Sequence, residues 1–158
     1  MATLIAYYSH SGNTGKVAAL IQKQIGGTLF PIEPETAYPT DHAQAVEQSK
    51  KEIPAGYKPP LKTKAPDLAG FDTVVVGSPN WLSTIAPPVA TFLTENDLSG
   101  KKVAPFGTYG GGGLGKIAED IAKLCPNSTV LEGAGFSGDG GADAEAAVAE
   151  WLKKIGLA

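Results

Sequence analysis

The sequence predicts a three-layer, doubly wound α/β fold: a five-stranded parallel sheet with helices on both faces. Three observations carry this. Short apolar or β-branched runs alternate along the whole chain with segments of helical periodicity, which is the pattern of repeated βαβ units. The first and third runs, Leu4-Ile5-Ala6-Tyr7 and Val74-Val75-Val76, are apolar without alternation, as in strands covered on both faces. Finally, 158 residues with 42% hydrophobic and 18% charged residues suffice for one domain, 1–158, with a sizeable core.

Thr3–Tyr8 reads as the first strand. Val17, Leu20, Ile21 and Ile25 then recur at helical spacing, and Gly26-Gly27 ends that helix. Thr28–Ile32 is a short strand near an edge, because Pro31 cannot donate to a ladder. Residues 33–66 hold six prolines, so this stretch reads as a crossover with an elaborated loop. Within it Asp41 caps a helix running to about Lys51. Ala69–Asp72 is a turn into a third strand, Thr73–Gly77. Pro87-Pro88 suit a helix start, with Val89, Phe92 and Leu93 on its apolar side. Lys102–Thr108 is the fourth strand, in which Pro105 calls for a bulge or an early end. Leu114 to Leu124 is helical and stops before Pro126. Ser128–Glu132 is the fifth strand, Gly133–Gly141 a long turn, and Asp143 caps a last helix bearing Val148, Trp151, Leu152 and Ile155.

The totals exclude several functions. A net charge of −3 without any Lys/Arg-rich run argues against nucleic acid. No apolar run is long enough to span a bilayer, and no leader pattern opens the chain. One cysteine, Cys125, leaves no internal disulfide and fits a reducing cytoplasm. Together with two well-separated histidines, it argues against zinc.

In a parallel sheet the ligand binds beyond the C-terminal strand ends, at the switch point of the strand order. Three loops meet there. Ser9, His10, Ser11, Gly12, Asn13 and Thr14 follow the first strand and lead into a helix, which is an anion site made of free N–H groups, hydroxyls and an amide. No Walker or dinucleotide glycine pattern is present, so a single phosphate monoester suits the loop better than a triphosphate. The second loop is Ser78, Pro79, Asn80, Trp81 and Leu82. Trp81 has two readings, a ring folded back onto the protein or a flat stacking wall. The third is Thr108, Tyr109, Gly110 and Gly111, either a flexible turn or a close backbone approach to a ligand. A phosphate nest beside two aromatic-bearing loops suits a phosphorylated planar ligand, and flavin mononucleotide (FMN) fits.

Ser9-x-Ser11-Gly12-x-Thr14 resembles the phosphate loop of flavodoxins. Gly77-x-Pro79-x-Trp81, Phe92-Leu93, the run Asp97 to Phe106, Thr108-x-Gly110-Gly111 and Trp151-Leu152 follow in the order seen in flavodoxin-like proteins of this type. The resemblance covers the whole chain. It implies strand order 2-1-3-4-5 in a short-chain form, bound FMN, and one-electron transfer at low potential. It also implies reductase and acceptor proteins as redox partners of a cytoplasmic monomer. By that analogy Pro105 is ordinary. Backbone groups near Ser78–Trp81 would then contact the flavin ring. The alternative is a flavodoxin-fold reductase that oxidises NAD(P)H and reduces quinones or similar acceptors. The absence of an arginine near the loops disfavours it.

Overall fold

The computed structural model describes residues 2–158. Strands β1 (Ala2–Tyr7), β2 (Thr28–Pro31), β3 (Phe71–Pro79), β4 (Lys102–Tyr109), β5 (Thr129–Val130) and β6 (Ala134–Ser137) form one parallel sheet. Its order is β2-β1-β3-β4-β5, and β6 also pairs with β4. The helices are α1 (Asn13–Ile25), α2 (His42–Glu52), α3 (Pro87–Glu95), α4 (Ile117–Leu124) and α5 (Ala144–Lys154).

Strand alternation sorts the core into two layers. Leu4, Ala6, Val74, Val76 and Val103 face one way and pack with Val89, Phe92, Ile117 and Ile121. Ile5, Val75, Ala104 and Phe106 face the other way, against Val17, Ile21, Val148 and Leu152. Gly77 is required by this packing, since a Cβ there would stand 2.1 Å from Phe106 Cζ. Helix ends follow local chemistry. Asp41 accepts the Ala43 N–H at 3.1 Å at the start of α2, and Pro87 opens α3. Asp143 occupies the cap position of α5 but makes no capping bond.

Three expectations change at or beside the far edge. Gly133–Gly141 is not all turn, because Ala134–Ser137 pairs with Phe106–Tyr109 as β6. The small side chains of Ala134-Gly135 carry no strand signal in the sequence. The expected fifth strand shrinks to Thr129–Val130, so the edge beside β4 is filled by two short pieces. Pro105 causes neither a bulge nor an early end: β4 runs in unbroken register with β3 from Lys102 to Thr108. The Val103 and Tyr109 carbonyls accept bonds on the β5/β6 side, from Leu131 and Gly138, so alternation turns Pro105 to that side too. It falls between Val103, which pairs with Val130, and Phe106, which pairs with Ala134. The missing N–H therefore meets the gap between β5 and β6.

Segment 33–66 is tied down by its own ladder. The Glu35 N–H donates to the Pro60 carbonyl at 2.9 Å, and the Lys62 N–H to the Glu33 carbonyl at 2.7 Å. Tyr38 and Ala45 are buried against the sheet.

Candidate functional site

The C-terminal ends of β1, β3 and β4 open into a cleft of about 280 Å³. Its walls come from all three predicted loops: Ser11 and Asn13, then Pro79, Asn80 and Trp81, then Thr108, Tyr109 and Gly110. His42 from α2 and Gly138 after β6 complete it. Sequence reasoning missed both. His42 is an exposed residue far away in sequence, and Gly138 follows a strand that was not foreseen.

The first loop is built around the start of α1. Helical bonding begins with the Lys16 N–H on the Gly12 carbonyl at 3.0 Å, so the Asn13 and Thr14 N–H groups have no intrahelical acceptor. Gly12 makes the turn at φ 96°, a left-handed conformation that a Cβ would strain. Ser9 Oγ accepts the Gly15 N–H at 3.1 Å, which closes the loop from inside. Thr14 is buried, and its hydroxyl meets the Thr108 hydroxyl at 2.7 Å. That bond joins the first loop to the third. His10 is not a cleft wall but packs behind Trp81, and its Nε2 donates to the Pro39 carbonyl at 2.6 Å. Accepting that bond into a carbonyl fixes the proton on Nε2 in the neutral ring, and Nδ1 is buried without a partner.

The second loop is a tight turn. Trp81 and Thr84 exchange reciprocal backbone bonds of 3.1 Å. Leu82 and Ser83 between them adopt φ 55° and 66°, which no glycine relieves. Leu82 stands 42% exposed at the tip. Ser78 is wholly buried and structural, since its Oγ accepts the Ala86 N–H at 2.9 Å and donates to the Pro79 carbonyl at 2.8 Å. Asn80 ties the second loop to the third. Its N–H donates to the Thr108 carbonyl and its Nδ2 to the Gly113 carbonyl, both at 2.7 Å.

Trp81 borders the cleft but is only 1% exposed. Tyr8, His10 and Tyr38 pack around it with ring centroids 5.7, 5.5 and 5.2 Å away, mostly edge-on. Its ring is folded back in this structure and offers no free face. Among the described residues its Nε1 is buried without a partner, which is costly for an indole N–H. Burial first, and the Glu52 carboxylate second, raise the Tyr8 and Tyr38 phenols well above the usual tyrosine range; Tyr38 also donates its hydroxyl to Glu52. Tyr109 is half-buried, and its Cε1 lies 3.0 Å from the place where a Gly135 Cβ would be. Gly110 and Gly111 are exposed with open space beside them.

The structure thus gathers Ser11, Asn13, Pro79, Asn80, Trp81, Thr108, Tyr109 and Gly110 around one cleft. Ser9, Thr14 and Ser78 support it from behind. No cleft wall carries a carboxylate or an ammonium, so the N-terminus of α1 supplies its main fixed field, which is positive. Among the described residues, no group of three or more His, Cys, Asp or Glu could hold a metal ion. No helix among them is long and apolar enough to cross a membrane.

Comparisons with known proteins agree with this architecture. No curated protein matches the chain. A solved, provisionally named flavoprotein from Bacteroides eggerthii is 30% identical, covers 98% of each chain and superposes with a TM-score of 0.86. A flavoprotein in complex with FMN from Lactobacillus acidophilus is 25% identical over 92% of this chain and 98% of that one, with a TM-score of 0.75. Oxidised flavodoxin 2 from Bacillus cereus shares the fold at 21% identity, a TM-score of 0.65, and coverage of 99% and 98%. The model of the flavodoxin family matches residues 2–155. The chain belongs to the flavodoxin family.

Proposed function

We propose that the protein binds FMN in the three-loop cleft and carries single electrons between protein partners. One observation carries the reading. The outward N–H groups at the start of α1 share a single cleft, free of carboxylates and lysines, with Pro79, Asn80 and Tyr109. The residues present fit the cofactor. A phosphate monoester suits the Asn13 and Thr14 N–H groups with the Ser11 hydroxyl. Pro79 to Trp81 and Tyr109 supply the walls for a flat ring, with the Asn80 bonds fixing the distance between their loops. When bound, the flavin supplies the redox chemistry, and the protein supplies binding, orientation and the local field. The FMN complex of the Lactobacillus acidophilus flavoprotein supports the choice of cofactor. Walls without carboxylates or lysines suit partners that dock through shape, with little electrostatic steering.

The test is an anaerobic reductive titration of the FMN-loaded protein, followed by visible spectra. A carrier takes up its electrons in two resolved one-electron steps and does not oxidise NADPH. A single two-electron step with rapid NADPH oxidation would replace the carrier with a reductase. Failure to bind FMN would remove both.

A further inference from the structure

The end of α2 builds a second cleft, which shares no wall residue with the first. The Gly56 N–H donates to the Ile53 carbonyl and the Tyr57 N–H to the Glu52 carbonyl, both at 3.0 Å, with Gly56 at φ 67°. This pair of bonds is the glycine-centred lock that closes many helices. In such a lock the residue after the glycine usually packs an apolar side chain onto the last turn of its own helix. Here that turn offers Lys51 and Glu52, and Tyr57 stays 48% exposed. A backbone held by two hydrogen bonds thus presents an uncovered aromatic ring.

Facing Tyr57 across a space of about 220 Å³ are Ile85, Ala90 and Leu124. A cavity of about 150 Å³ accepts a benzene ring, so this space suits one or two fused rings. The charges at the rim are unequal. Asp120 is committed, since it accepts the Thr84 hydroxyl and lies 3.7 Å from Lys123 Nζ. Lys58 forms no ion pair among the described residues, and its ammonium donates to the Gly56 carbonyl at 3.5 Å. One uncommitted cation therefore stands beside an apolar slot.

We infer that this cleft binds a small aromatic carboxylate, with its rings between Tyr57 and the Ile85–Ala90–Leu124 wall and its carboxylate on Lys58. The site stands independently of the FMN reading. The exposed ring gains a partner, the apolar wall loses water, and the carboxylate pairs with Lys58, the rim charge that forms no ion pair among the described residues.

Naphthoate is the probe, titrated into the full chain and followed by amide NMR. The expected result is saturable shifts at Tyr57, Ile85 and Ala90. Lys58→Gln weakens binding roughly fivefold, in line with an exposed ion pair, and naphthamide binds the wild type as weakly as naphthoate binds Lys58→Gln. Ala90→Leu fills the slot and abolishes binding. If that variant does not fold, the Lys58→Gln and naphthamide comparisons decide. Equal affinity for naphthoate and naphthamide, no shifts at millimolar naphthoate, or shifts confined to Ser11, Thr108 and Tyr109 would each overturn the assignment.

Discussion

The bond between Thr14 and Thr108 joins the helix that would face a phosphate to the strand that ends in Tyr109. Both residues are buried, at 1% and 4% exposure, and their hydroxyls lie 2.7 Å apart. Thr14→Val keeps the shape and removes one hydroxyl, which leaves the Thr108 hydroxyl unpaired in a dry setting. An orphaned buried hydroxyl costs about 1–3 kcal/mol. Thr108→Val leaves the converse orphan and costs about the same. Replacing both leaves nothing unpaired, so the double variant loses less than either single one. The cycle therefore predicts a coupling larger than either single loss, more than about 1 kcal/mol. In urea, with a slope of about 2 kcal/mol per molar, each single variant moves the midpoint down by roughly 0.5–1.5 M. Additive losses would refute the bond.

The same variants separate support from direct contact. The double variant leaves the Asn13 and Thr14 backbone N–H groups in place, so its FMN affinity stays near that of the wild type. A double variant with recovered stability but affinity down more than tenfold would mean that the Thr14 hydroxyl serves the phosphate itself.

Three further outcomes follow from single positions. Gly12→Ala places a Cβ in open space but at φ 96°, so it costs about 1–2 kcal/mol through backbone strain alone and weakens FMN binding; unchanged urea and FMN titrations would show that the left-handed turn is not needed. Ser83→Gly relaxes φ 66° and raises stability by about 0.5–1 kcal/mol in urea unfolding, whereas a loss would assign the serine side chain a bond of its own. The third outcome is alkaline. Tyr8 and Tyr38 are raised above the ordinary 10.0 by burial and then by Glu52, so they stay protonated in the fold while the unfolded chain ionises. Their contribution is complete below pH 10.0 and is lost as pH rises towards the folded values. Tyr38→Phe should flatten the fall in stability above that pH, and an unchanged slope would count against the buried phenol.

The legible parts of the fold were those with a strong period. Leu4–Tyr7 and Val74–Val76 read as buried strands because their neighbours on both faces are apolar, and they occupy the centre of the sheet. The phosphate loop was legible because it needs glycine at one position and small polar residues around it. Trp81 was only half legible: its place beside the cleft follows from the loop, but its burial depends on Tyr38, brought in by segment 33–66. No local pattern reports a contact across 43 residues of proline-broken chain. His42 joined the cleft by the same route, through the crossover that carries α2. β6 was illegible for another reason. Ala134 and Gly135 pair through backbone, and their small side chains serve the neighbours that pack over them.

That edge shows how an apparently poor strand composition serves the site. Pro105 cannot donate, so the ladder stops after Val130 and resumes at Ala134. A break in a sheet frees backbone groups that must find partners. The Glu132 carbonyl within the break accepts Trp151 Nε1 at 2.9 Å, which also anchors α5 to the sheet. The residues on either side of Ala134 are glycines, and a Cβ on either would crowd its neighbours. A Cβ on Gly133 would lie 3.1 Å from Ala118 Cβ and 3.2 Å from Leu114 Cδ2. A Cβ on Gly135 would press on Tyr109 and Leu114 at 3.0 and 3.3 Å. The glycines let Leu114, ahead of α4, and the Tyr109 ring settle onto β6. Tyr109 is a wall of the cleft, and Gly138, at the end of the same strand, donates to the Tyr109 carbonyl at 2.8 Å. Proline in an interior strand and two glycines, one just before and one within an edge strand, each unfavourable alone, together seat the aromatic ring that closes one side of the site.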